Sequence, residues 1–188
     1  MRRAGHHDDA IALLSAAAAD IQPGPHASDA ELATYGSLLR TASYAGAQAG
    51  RRAQAQTLID EAAAAGRLRA PVHAGEITFS PTHVAVYKIS AFTAVGDSTA
   101  ALDHASTVDM RLLETPERYA RYYIDTARTW EQHGRHDRAS QALQAAESQA
   151  PQELRRPSSH ELITRMLYAP TVTPAGLRSL AMRVGAIR

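Results

Sequence analysis

The chain has 188 residues, a formal net charge of +1, no cysteine, and nineteen Arg plus the single Lys88 against nineteen acids. These features exclude a disulfide framework, a thiolate nucleophile and a face built to neutralise a run of phosphates, so duplex DNA is not an expected partner of this chain. The longest apolar run, "AIALLSAAAA", is about half the ~20 residues a membrane span needs, and "MRRAGHHDDA" lacks the apolar core of a signal peptide, which makes the cytoplasm the expected compartment.

Hydrophobic residues are 45% of the chain but aromatics only 5%, and alanine supplies much of the difference. A core of this kind forms by close approach of helices, which predicts an all-α fold of seven to nine helices without a sheet.

In chain order, "GHHDDAIALLSAAAADIQP" opens on Gly5 and reads as a helix with nothing before it to pair with. Its apolar face around Ile11 and Leu14 is expected to be exposed, as in the C-terminal part of a longer design. Ser28 and Asp29, with Glu31 in the first turn, open a helix that ends at Gly50. The next helix runs over about 51–65 and closes at Gly66. Residues 67–80 read as a long loop. Ser80 and Pro81 then open "THVAVYKISAFTAVG", followed by "DSTAALDHASTV". Thr115, Pro116 and Glu117 supply a cap, a first-turn proline and a dipole-matched acid for "ERYARYYIDTARTWEQHG". "SSHELITRML", capped by Ser158 or Ser159, covers the end of the stack, and the tail carries a short helix from Pro174 onward.

The segments repeat. In "HGRHDRASQALQAAESQAP", Gly134, Ala139, Ala146 and Pro151 stand at offsets of five, seven and five. Gly5, Ala10 and Ala17, then Gly50, Ala55 and Ala62, then Gly96, Ala101 and Val108 follow the same spacing, and Leu14, Ile59, Ala105 or Leu143 lies nine residues after each glycine. Recurrence near forty residues signals helical hairpins stacked as a solenoid, with small residues where one helix nests on another. The domain reading is one repeat domain over 1–168 and a tail over 169–188.

The Gly, Ala, Ala, Pro series resembles the tetratricopeptide repeat. More narrowly, the ordered blocks "TYGSLLRTASYAGAQAGRRAQAQTLIDEA", "TFSPTHVAVYKISAFTAVGD" and "ERYARYYIDTARTWEQHGRHDRASQALQAAESQAPQELRRPSSHELITRML" resemble the C-terminal region of actinobacterial XRE-type helix-turn-helix transcriptional regulators, over about residues 5–185. The resemblance implies a module that senses a ligand or partner and supports dimerisation. The family's DNA-binding module has no counterpart in these residues, and His83 stands where the family pattern has an asparagine.

Nested hairpins place the first helix of each pair on an inner face. The register from each glycine puts Ser37, Arg40, Tyr44 and Gln48 there, then His83, Tyr87, Ser90 and Thr93, then Arg121, Asp125, Arg128 and Gln132. The intervening Leu39, Val86, Ile89, Ile124 and Ala127 are apolar. A polar inner face suits an extended peptide, a protein segment or a small anionic ligand, and the guanidiniums of Arg40, Arg121 and Arg128 are suited to fork onto a carboxylate or phosphate. The bland alternative is a solvated helix face.

Other chemistries are weaker. His133 with His136, or His6 with His7, lacks a third ligand at a recognised metal spacing. "HDR" at 136–138 has neither the glycine-rich loop nor the DFG of a kinase. Tyr119, Tyr122, Tyr123 and Trp130 could stack a ring, but Tyr123 and Trp130 at helical spacing are better read as core. "GLRSLAMRVG" looks like the first helix of a helix-turn-helix with no recognition helix after it. No convergent acid–base or nucleophile set marks an enzyme, and no cofactor motif is present. The expected function is the regulatory or interaction module of a transcriptional regulator; the rival is a free-standing scaffold unrelated to DNA.

Overall fold

The computed structural model of the chain describes residues 6–67, 72–74 and 77–187. Gly5, the first repeat glycine, lies outside them. The chain forms two compact units, Met1–Asp97 and Ser98–Arg188. The sequence reading divides the chain at 168/169, whereas the compact units divide it at 97/98.

The first unit contains α1 (His7–Ile21), α2 (Asp29–Gln48), α3 (Arg52–Arg67), a hairpin of β1 (Val72–Ala74) and β2 (Ile77–Phe79), and α4 (Pro81–Ala94). α2 starts at a capping box: Glu31 N–H donates to Ser28 Oγ at 3.2 Å, and Ser28 N–H donates back to Glu31 Oε2 at 2.7 Å. α4 starts on Ser80, whose hydroxyl accepts from His83 N–H at 3.3 Å, with Pro81 in the first position.

α2 and α3 pack as a hairpin, α4 lies against both of them, and α1 lies against α2. Leu39, Ala42, Ile59, Ala62 and Val84 fill the space between. The small residues have two separate jobs. Gly50 has φ +74°, and its N–H donates to Ala47 O while Arg51 N–H donates to Gly46 O, the paired bonds that close a helix over a left-handed residue. The alanines five and twelve residues later do the nesting: Ala55 is 4% exposed and Ala62 fully buried.

Four expectations are corrected here. The segment 67–80 contains an antiparallel strand pair, Val72 opposite Phe79 and Ala74 opposite Ile77, so it is not simply a loop and a small sheet exists. Gly66 does not end its helix; it is buried one residue inside the end of α3, where extra bulk would touch the Phe79 ring. Ile11 is 3% exposed because α2 covers it, and Leu14 packs on the same core, so the apolar face of α1 is not left open. The buried register of α1 is Ile11 and Ala18, one residue later than the spacing from Gly5 predicts.

The second unit contains α5 (Ser98–Ser106), a 3-10 turn (Met110–Leu112), α6 (Pro116–Gln132), α7 (His136–Gln149), α8 (Pro151–Leu154), α9 (Pro157–Leu167) and α10 (Leu177–Val184). Thr115 caps α6 by accepting from Arg118 N–H, and Gly134, at φ +77°, turns the chain into α7 with the same bond pair as Gly50. Ala139, Leu143 and Ala146 are fully buried against Ala120, Ile124 and Ala127 of α6. The helix expected to be capped by Ser158 or Ser159 begins instead after Arg156; Ser159 lies in its first turn, buried, donating to Glu153 O at 3.1 Å. The tail helix α10 buries Leu177, Leu180, Ala181 and Val184 in this core, and Arg183 grips Glu147 of α7 through two bonds at 2.8 and 2.6 Å. The described residues thus hold ten α-helices rather than seven to nine, and the fold is all-α apart from the one hairpin. No described helix is long and apolar enough to cross a membrane.

Candidate functional site

The inner-face residues fall in different units and take different roles. In the first unit, the long face of α2 presents Ser37, Arg40, Tyr44 and Gln48. Arg40 is half-buried, and its Cζ lies 4.5 Å from the centroid of the Tyr87 ring on α4. Such stacking uses the ring face and holds the guanidinium in one orientation, with its Nε and Nη1 atoms buried. Tyr44 is 39% exposed and accepts a 3.0 Å hydrogen bond from Gln48 Nε2. Ser37 is half-buried on α2; Ser90 and Thr93 are half-buried on α4, where Thr93 Oγ1 donates to Ile89 O. The apolar partners behave as their spacing requires: Leu39, Val86 and Ile89 are buried.

His83 does not join this face. It is 3% exposed, and its Nδ1 sits 2.8 Å from Ser80 Oγ. Three residues after the cap, the ring folds over the hydroxyl that begins the helix, so it belongs to the start of α4 and not to a ligand surface.

In the second unit only Arg121 of the α6 set is a solvent-facing cation. Asp125 is 5% exposed and is held by Arg128 Nη1 at 2.9 Å, while Arg128 Nη2 donates to Ser158 Oγ of α9 at 3.2 Å. These two residues, expected in a recognition groove, are instead a packed ion pair that ties α6 to α9. The reason is that a carboxylate at a buried helical position needs a charged partner at once, and the arginine one turn on is the nearest. Gln132 is exposed at the end of α6.

The aromatic residues follow the core reading: Tyr123 and Trp130 pack against the second core, and Tyr122 OH donates to Ala105 O at 3.1 Å. Burial pushes the Tyr122 hydroxyl above its ordinary range. His133 Nδ1 lies 2.9 Å from Ser98 Oγ, and His136 Nδ1 lies 3.2 Å from Thr171 Oγ1.

A site that the sequence reading missed lies at the other side of α2. Ala18 and Ala19 of α1, Tyr35 and Leu39 of α2, and Leu58 and Glu61 of α3 surround a half-open cavity of about 230 Å³. Tyr35 is 8% exposed and its hydroxyl donates to Glu61 Oε1. Burial, with the Glu61 hydrogen bond and charge adding to it, pushes the Tyr35 hydroxyl up to about 12. The only sequence signal was the alanine run of α1, which leaves space where larger side chains would fill it.

Comparison with family models, curated proteins and solved structures yields no match.

Proposed function

We propose that the chain is a tetratricopeptide-like interaction module, the ligand-responsive part of a transcriptional regulator, and that it recognises an extended ligand carrying a carboxylate or phosphate on the α2–α4 face. Three features support the repeat reading. Left-handed glycines end α2, α4 and α6; buried alanines follow Gly50 and Gly134 at the same two offsets; and α4 rests on both members of the α2–α3 hairpin. The observation that carries the binding reading is Arg40 held over Tyr87, with the exposed Tyr44 and Gln48 on the following turns of the same helix: a positioned cation with a hydroxyl and an amide next to it suits an anion on an extended backbone.

The test is an array of acidic peptides in paired forms, with a free C-terminal carboxylate and with an amide cap, probed with the whole chain. The proposal expects a subset bound only as free acids and lost with Arg40→Gln. Binding that ignores the carboxylate, or no binding to any acid, would overturn it. For the regulatory half, the chain fused to a heterologous DNA-binding domain should make a reporter respond to a bound peptide, and an indifferent reporter would refute it.

A further inference from the structure

The cavity between α1, α2 and α3 is separate from the Arg40 face, and its chemistry is opposite in sign. Ala18, Leu39 and Leu58 give it apolar wall, and the exposed Glu61 side chain, with the Tyr35 hydroxyl bonded to it, stands on its open side. Ser15 and Gln22 add a hydroxyl and an amide at the α1 side. None of the residues lining it is Lys, Arg or His, so no lining cation offsets the Glu61 charge. A carboxylate has about four acceptor positions and the Tyr35 hydroxyl uses one, which leaves capacity for a second donor.

The space is also large enough. A water site needs about 10–15 Å³ by the same measure, and 230 Å³ far exceeds that. A half-open pocket with apolar wall and one carboxylate at its mouth suits an alkyl or aryl body bearing one positive charge.

The geometry points to a binding site for a small amphipathic cation, a primary amine on an apolar body, seated between α1, α2 and α3 with its ammonium on Glu61. Tyr35 is a positioning residue here. Its hydroxyl fixes one oxygen of the carboxylate at the pocket and leaves the other as an acceptor for the occupant. This site does not depend on the α2–α4 face, and either can fail while the other stands.

The test uses n-hexylamine as the probe, with n-hexanol and hexanoate as matched controls, titrated into the whole chain labelled with 15N at neutral pH. Hexylamine should give saturable shifts concentrated in the amides of residues 15–22 and 58–61. Hexanol should bind at least about tenfold more weakly, because it lacks the charge-assisted bond. Hexanoate should give no saturable shift. Glu61→Gln should bring the amine down to the affinity of the alcohol. Ala19→Leu, at an exposed α1 position that lines the chamber, should weaken both by filling it. Equal affinities for hexylamine and hexanol in the wild-type chain would overturn the proposal, as would no saturable hexylamine shift up to its solubility. If Glu61→Gln fails to fold by circular dichroism, Ala19→Leu decides alone: unchanged hexylamine affinity overturns the site, and weakened affinity supports it.

Discussion

The ring of Phe79 occupies the space that a Cβ on Gly36 would need. Phe79 comes from β2 and is 1% exposed; it enters a slot between α2 and α3 floored by Gly36, with Gly66 in ordinary contact range on the other wall. An added methyl at Gly36 would overlap the ring itself, whereas one at Gly66 would stand 3.6 Å from it.

Gly36→Ala therefore costs stability although alanine is the better helix former by about 1 kcal/mol. Overpacking against a fully buried ring outweighs that gain, and a loss of about 1–3 kcal/mol is expected. Gly66→Ala should be neutral or slightly stabilising. Thermal melts of the two variants check the contrast, and equal melting temperatures would remove the slot from the account.

The two jobs of the repeat's small residues separate by mutation. Gly134→Ala puts a side chain on a left-handed residue with open space around it, so the cost is conformational, about 1–2 kcal/mol. Ala139→Leu leaves the backbone alone but overfills a fully buried contact between α6 and α7, at a cost of about 1–3 kcal/mol. Denaturant unfolding measures both. A neutral Ala139→Leu would mean that the alanine register is incidental.

Tyr35 ties stability to alkaline pH. Its hydroxyl ionises at about 12 in the folded chain against 10.0 for a free tyrosine. The raised value means that the folded state holds this proton more tightly. The contribution is complete below pH 10 and disappears as pH rises through 12. An ultraviolet titration of the phenolates should show Tyr122 ionising above the ordinary range and one further tyrosine lagging to about 12, and Tyr35→Phe should remove the latter. All seven tyrosines ionising together near 10 would contradict the buried hydrogen bond.

Arg128 and Arg121 lie two turns apart on one helix and should behave differently. Arg128→Ala removes the cation that holds the buried Asp125 carboxylate and should cost about 1–3 kcal/mol. Arg121→Ala, at an exposed position, should change stability by no more than about 0.5 kcal/mol. Urea midpoints for the pair decide whether Arg128 belongs to the fold or to an open groove.

The sequence was most informative where the physics is local. A hydroxyl three residues before a free backbone N–H, a proline in the first turn, and a glycine after the last turn each act within one helix end. Ser28, Ser80, Thr115, Gly50, Gly96 and Gly134 were accordingly readable. The apolar stripe was readable for the same reason: Leu39, Val86, Ile89, Ile124 and Ala127 are all buried. What could not be read depends on partners far along the chain. Nothing near Gly36 announces Phe79, and nothing near Glu61 announces Tyr35. Asp125 and His83 lie on helices as their spacing predicts but are buried, because the partners that let a polar side chain pack inside, Arg128 for Asp125 and Ser80 for His83 Nδ1, are not marked by polarity alone. Ile11 looked unpartnered because its cover, α2, follows it in sequence rather than precedes it.

The central claim is that Arg40, aimed by Tyr87, recognises an anion. Titration calorimetry with one free-acid peptide selected from the array, on the wild-type chain and on Arg40→Gln, tests it most directly. Loss of a charge-assisted bond predicts affinity at least about tenfold weaker for the variant under conditions where circular dichroism shows it folded; equal affinities would contradict the account.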